Sequence, residues 1–251
     1  MAKYDRYGAV SRKKPHSLFA PISILLVIVA IIFGMGVFFR VQEIEVRGSD
    51  TYTDEEIIEA SGIDIGDNLF FIKRMSASSR IFSRLPFVEE AGIERILPNK
   101  LVITVYESSA LAYVNWEGQK WMMTGNCKLL GSGDDSETAG LIHVLNVIPV
   151  NPKAGEIMAV DPSESLKLSY LQTLLHAMEQ VDMVRDVKDL DIGNPANPTF
   201  RYLDRFTVKM GQNDNTDYKL RMLLSAVMQM ESDITGTVDL SEGTSVHVSP
   251  D

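Results

Sequence analysis

The side chains with the most chemistry to offer in this 251-residue chain are four histidines, one cysteine and a few adjacent acids. A histidine acts as a base or a metal ligand only when a nucleophile, a carboxylate or a second ligand lies within reach. His16, His143, His176 and His247 form no H-x-x-x-H pair. Cys127 is alone, so neither an internal disulfide nor a cysteine zinc cluster is available. Glu89-Glu90 would point to opposite faces of a strand, and Asp134-Asp135 fall in the small, acidic stretch GSGDDSETAG, read as a mobile loop. Neither pair is a preset acid–base couple. The chain also lacks a G-x-S-x-G elbow, an S-x-x-K beside a K-T-G, and a glycine-rich phosphate loop. The expectation is a protein without catalytic residues, metal or cofactor, whose function lies in its surfaces.

Two stretches qualify as surfaces. Thr244, Ser245, Val246, His247 and Val248 read as a final strand with three residues after it. At a sheet edge its free N–H and C=O groups would invite a partner strand. Lys73, Arg80 and Arg84 stand at i, i+7 and i+11 on one face of a helix. This stripe has two readings, a solvated helix face or a contact with anionic head groups or an acidic partner near a membrane.

What must position these surfaces starts with Leu18 to Phe39, 22 residues without a charged side chain. At about 1.5 Å per residue a helix of that length reaches about 33 Å, enough for a hydrocarbon core of about 30 Å. The tail before it, residues 1–17, carries Lys3, Arg6, Arg12, Lys13 and Lys14 against Asp5. Positive flanks stay inside, so the tail is placed in the cytoplasm and the rest outside. The run ends in Phe38-Phe39-Arg40 with no small-residue cleavage site, which reads as an uncleaved signal anchor. Beyond it stand 19 bases and 33 acids, an acidic exterior that argues against nucleic acid as a partner.

After the anchor, Val41 to Gly48 alternates as a strand. Thr53-Asp54-Glu55-Glu56 is a capping box for a helix over Asp54 to Ser61, with Tyr52 and Ile57 as its staple and Gly62 as its stop. The apolar Leu69 to Ile72 should pack that helix, and a second helix over Lys73 to Leu85 ends at Pro86. Phe87 to Ile96 and Lys100 to Glu107 are strands joined by Leu97-Pro98-Asn99. The order is β-α-α-β-β. Together with Gly66-Asp67-Asn68-Leu69-Phe70, Leu85-Pro86-Phe87-Val88 and Ile93-Glu94-Arg95-Ile96-Leu97-Pro98-Asn99-Lys100-Leu101-Val102-Ile103 followed by Glu107, it resembles the POTRA domain of the bacterial division proteins FtsQ and DivIB. Ser108 and Ala110 stand where that family usually has a basic residue and a proline.

The resemblance continues to Val248. Leu111 to Trp116, Gln119 to Met123, Lys128 to Leu130, Leu141 to Val150, Val187 to Ile192, Phe200 to Met210 and Gly236 to Leu240 read as strands. Pro162 to Val184 and Tyr218 to Glu231 read as amphipathic helices. The fold class is therefore α+β: a cytoplasmic tail (1–17), a single N-terminal transmembrane helix (18–39), a POTRA domain (41–108) and a mostly antiparallel β domain with two helices (109–249).

The resemblance implies a bitopic scaffold of the divisome, concentrated at the septum and not an enzyme. Its implied partners are FtsB/DivIC-like and FtsL-like division proteins and, indirectly, the septal peptidoglycan synthases, beside the lipid bilayer. The alternatives are a membrane-tethered POTRA-containing transport or assembly factor and a cell-wall-modifying enzyme. The first would need strands for a barrel, and the second a nucleophile or metal constellation.

Overall fold

The structure is a computed structural model describing residues 19–243 and 245–250. Its first element is α1, Phe19–Phe38. None of the window Pro21–Phe38 is buried against the rest of the chain, and among the described residues this is the one helix long and apolar enough to cross a membrane. An apolar helix with no protein around it fits a single-pass membrane protein.

Two hydrophobic cores follow. The first belongs to a three-stranded sheet of β1 (Glu43–Arg47), β2 (Val88–Ile96) and β3 (Lys100–Glu107), in the order β1-β3-β2. β1 runs parallel to β3 and β2 antiparallel. The parallel pair needs a crossover, supplied by α2 (Asp54–Ser61) and α3 (Arg74–Arg84). The capping box closes α2 as its sequence dictates: Glu56 N–H donates to Thr53 Oγ1 at 3.3 Å and Thr53 N–H to Glu56 Oε2 at 2.9 Å. Gly62 ends the helix at φ +62, in the left-handed region. Only half of Leu69 to Ile72 packs as expected: Leu69 and Ile72 are buried, while Phe70 and Phe71 face out.

The second core lies between one face of a nine-stranded sheet and helices α4 (Ser165–Gln180) and α5 (Thr216–Val227). The strands are β4 (Ala112–Trp116), β5 (Gln119–Met123), β6 (Leu129–Gly133), β7 (Ile142–Leu145), β8 (Val187–Asp191), β9 (Thr199–Tyr202), β10 (Phe206–Lys209), β11 (Gly236–Asp239) and β12 (His247–Pro250). Their order is β12-β11-β10-β9-β8-β7-β4-β5-β6. Five of the eight pairings are antiparallel and three parallel. α4 makes the crossover from β7 to β8, and α5 the one from β10 to β11. Alternation does the rest: Ala112 and Val114, Ile142 and Val144, and Phe206 and Val208 point into the core while their neighbours meet water.

Three expectations are corrected here. Phe200 to Met210 is not one strand but the hairpin β9–β10, turned at Leu203 and Asp204, both at positive φ (53 and 54). The strand expected at Lys128 to Leu130 runs on to Gly133, into the stretch read as a loop. The helix expected to Val184 stops at Gln180, and Asp182 turns the chain at φ +54.

Candidate functional site

β12 is the last strand of the large sheet and, among the described residues, pairs only with β11. Its residues His247 and Val248 come from the expected strand; Ser245 and Val246 precede it, and Thr244 lies outside the described residues. The direction of its backbone groups follows from the neighbours. Gly236 N–H donates to Arg205 O and Leu240 N–H to Lys209 O, so even positions of β11 point toward β10. The odd ones, Thr237 and Asp239, therefore face β12, where their partners are Ser249 and His247. Val248 sits between those two partners. Its N–H and C=O consequently point away from the sheet, while its side chain packs on the core together with Val246.

The support beneath this edge comes from three residues that sequence reasoning missed. Lys219 of α5 is fully buried and donates from Nζ to Met210 O and Gln212 O, each at 3.0 Å, and to the Asp214 carboxylate. Tyr170 of α4 donates its hydroxyl to Gly211 O and Gln212 O, both at 3.0 Å. Burial pushes that phenol up, and the Asp214 charge adds to the shift. The loop so held carries Gly211 at φ +71, where an added Cβ would stand 2.5 Å from Ser241 Cα. Only glycine permits this approach, which seats the β11–β12 turn on the loop. The one available signal was a lysine on the face that carries Leu220, Leu223 and Val227. Asp239 closes the turn by accepting from Ser241 N–H at 2.9 Å. Hydrogen bonds from the Ser241 hydroxyl and amide hold the Asp239 carboxyl below the usual carboxylate range.

The basic stripe has a different occupation. Arg80 directs Nε and Nη2 to Ser61 O, and Arg84 Nη1 reaches Glu59 O at 3.3 Å. Both guanidinium groups thus sit on C-terminal carbonyls of α2, where the helix dipole favours positive charge. Lys73 stands exposed at the start of α3.

The motif residues of the first domain are joints. Glu107 accepts from Ser49 Oγ and from Thr51 Oγ1 (2.8 Å) and N–H (3.1 Å), pinning the β1–α2 connection. Burial opposes its charge, but these hydrogen bonds outweigh it and lower its pKa. Arg95 donates to Ile72 O at 2.6 Å. Between the domains, Lys128 donates to Val88 O at 3.0 Å and lies 4.5 Å from the ring centroid of Phe82.

Among the described residues, which do not include His16, the groups with catalytic potential do not assemble. His143 stacks on Tyr113 (4.7 Å between ring centres) and is held between Asn115 (2.8 Å) and Asp189 (3.3 Å), beside a groove of about 560 Å³. His176 is exposed on α4. His247 lies 3.1 Å from Ser245 Oγ and 3.2 Å from Glu242 Oε2, but both contacts fall on Nε2. A relay needs serine and acid on opposite ring nitrogens, so this trio is not one. Cys127 is buried at φ +58, and burial pushes its thiol up to about 12, far from a reactive thiolate. Glu89 accepts from Ser108 Oγ, and Asp135 pairs with Lys120 at 2.8 Å.

Residues 39–108 match the family model described as POTRA domain, FtsQ-type. The chain is similar to the cell division protein DivIB of Clostridium tetani, 25% identical over 77% of this chain and 72% of that one. DivIB of Bacillus subtilis is 28% identical over 52% of this chain and 49% of its own length. The cell division protein FtsQ of Corynebacterium glutamicum is 29% identical over 84% of this chain and 89% of its own.

Proposed function

We propose that this chain, whose residues 39–108 match an FtsQ-type POTRA domain and which is similar to cell division proteins named DivIB and FtsQ, is a non-enzymatic scaffold whose β12 edge captures another division protein outside the membrane. α1 tethers it, with residues 1–17 in the cytoplasm and the two folded domains outside, gathered at the division septum. The first domain spaces the second from the bilayer. The second adds a strand of an FtsB/DivIC-like partner to β12, and an FtsL-like protein joins through that partner. In this way the division ring is tied to the septal peptidoglycan synthases.

The observation that carries this reading is the orientation of Val248. An outward N–H and C=O with no partner among the described residues, beside exposed His247 and Ser249, is a template for one more strand. A proline at Val248 removes the outward donor and leaves the ladder to β11 intact. Val248→Pro in the full-length chain should lower affinity for a DivIC-like ectodomain by about tenfold or more. Val248→Ala, and Ser132→Arg at the opposite edge, should stay within about threefold of the parent. Equal affinity of the proline and alanine variants would refute strand addition.

A further inference from the structure

Four apolar side chains in one short stretch of the first domain stand in the open: Ile65, Phe70, Phe71 and Met75 are 64%, 40%, 82% and 85% exposed. All belong to the α2–α3 connection or the first turn of α3. A domain that buries Ile57, Leu69, Ile72 and Ile81 almost completely does not lack room for apolar groups. The exposed set therefore calls for a partner.

Its neighbour in the structure is the outer end of α1. Asn68 Nδ2 donates to Met35 O at 2.9 Å, and Leu69 N–H donates to Phe39 O at 2.8 Å. Phe70 meets Phe39 edge-on with ring centres 5.0 Å apart, and Arg40 forms a bridge with Asn68. Met35 lies one helical turn inside the end of the span Pro21–Phe38, whose 18 residues rise about 27 Å, close to the thickness of a hydrocarbon core. A side chain hydrogen-bonded to that carbonyl sits at the depth where acyl chains give way to head groups. Lys73 and Arg74 lie between Phe71 and Met75, exposed and, among the described residues, without a side-chain partner. Asp64 and Asp67 share the loop, but Asp67 turns its carboxylate onto Asp64 N–H.

Resting on the reading of α1 as a membrane span, we infer that Ile65–Met75 is a second membrane contact: Phe71 and Met75 enter the outer-leaflet interface beside the anchor, with Lys73 and Arg74 at the phosphates. Apolar side chains flanked by bases are the composition of interfacial membrane contacts. Bulk apolar groups in the bilayer and cations at its surface would seat the domain at two points rather than one. That fixes its height and its rotation about α1, and so the direction in which the large sheet is presented. These residues differ from the Lys73, Arg80 and Arg84 stripe in all but Lys73.

The test is a nitroxide label at Phe71→Cys in the full-length chain, reconstituted in vesicles of phosphatidylcholine and phosphatidylglycerol. Cys127 is buried, so labelling falls on the introduced thiol. Collision rates with oxygen, which concentrates in lipid, and with a water-soluble nickel chelate are compared with those of a label at Leu166→Cys, a position 73% exposed on α4. The inference expects an oxygen-to-nickel ratio several-fold higher at position 71 than at 166, and the same for Met75→Cys. Equal ratios at 71 and 166 would place the loop in water and overturn it. Low rates with both reagents at 71 would mean that protein covers the patch, and would also overturn it. A label at Ile28→Cys reads the span itself: water access there would overturn the anchor and this inference together, whereas lipid access there with water access at 71 would overturn only this inference.

Discussion

The large sheet ends in β6 on one side and β12 on the other, and the two ends are treated in opposite ways. β6 holds two glycines and carries a bulge opposite Met122 and Met123. It is also covered at its start, where Leu129 N–H donates to Glu156 O, Gly155 N–H to Leu129 O and Met158 N–H to Cys127 O. Bulges, glycines and a covering segment are how sheets prevent an edge from pairing. β12, four residues ending in Pro250, has a regular register with β11 and, among the described residues, no bulge, glycine or covering segment. Below it, Lys219, Tyr170 and Gly211 hold its turn in place. About eight strand spacings, roughly 38 Å, separate the two edges. The end next to the first domain is blunted, and the far end keeps an unbroken register and is supported from below. An edge that is both open and reinforced is what the proposed strand addition requires.

That contrast can be broken from beneath. Gly211→Ala places a methyl group against Ser241 at a positive φ, and should cost about 3 kcal/mol or more. It should also weaken partner capture, read by denaturant titration and binding on the same protein. Lys219→Met keeps the bulk but leaves Met210 O without its side-chain donor, Gln212 O with the Tyr170 hydroxyl alone and Asp214 without its ammonium, and should cost about 2 kcal/mol. Stability equal to the parent would mean that the buried ammonium does not hold the loop.

A smaller effect sharpens the comparison through pH. The folded-state pKa of Asp239 lies below its ordinary 3.8, so its stabilising contribution is full above that value and fades as pH falls through the depressed one. Asp239→Asn should lower neutral-pH stability by about 1 kcal/mol and flatten the acid limb of the stability curve, measured by thermal melting against pH. An unchanged acid limb would remove Asp239 from the turn's support.

Much of this architecture was legible before the structure. Thr53 and Glu56 announce α2, Pro86 stops α3, and the strands expected at Leu111 to Trp116 and Gln119 to Met123 form β4 and β5 across a turn at Glu117 and Gly118, both at positive φ, because each signal is local backbone chemistry. What stayed hidden depends on distant partners. The β9–β10 turn uses Leu203 and Asp204 instead of the Asn-Gly pair that such turns favour, and is held by Leu203 N–H to Asp186 O and Arg201 to Asp204 O. Gly131 and Gly133 read as loop residues because glycine is rare inside strands, yet at a bulged edge it fits. For the candidate site, the strand expected over Thr244 to Val248 shares only His247 and Val248 with β12, while the register, Val248 facing outward and the Lys219 support required the neighbouring strand and helix. The Arg80 and Arg84 stripe shows the converse. Helical periodicity placed both residues on one face, but the carbonyls they reach belong to α2, a partner that no periodicity within α3 reveals.

The measurement closest to the central claim is amide hydrogen exchange at Val248, with and without a DivIC-like ectodomain bound. Strand addition predicts fast exchange in the free protein and strong protection in the complex, with β6 amides unchanged. Protection that appears elsewhere, while Val248 N–H keeps exchanging freely in the saturated complex, would contradict it.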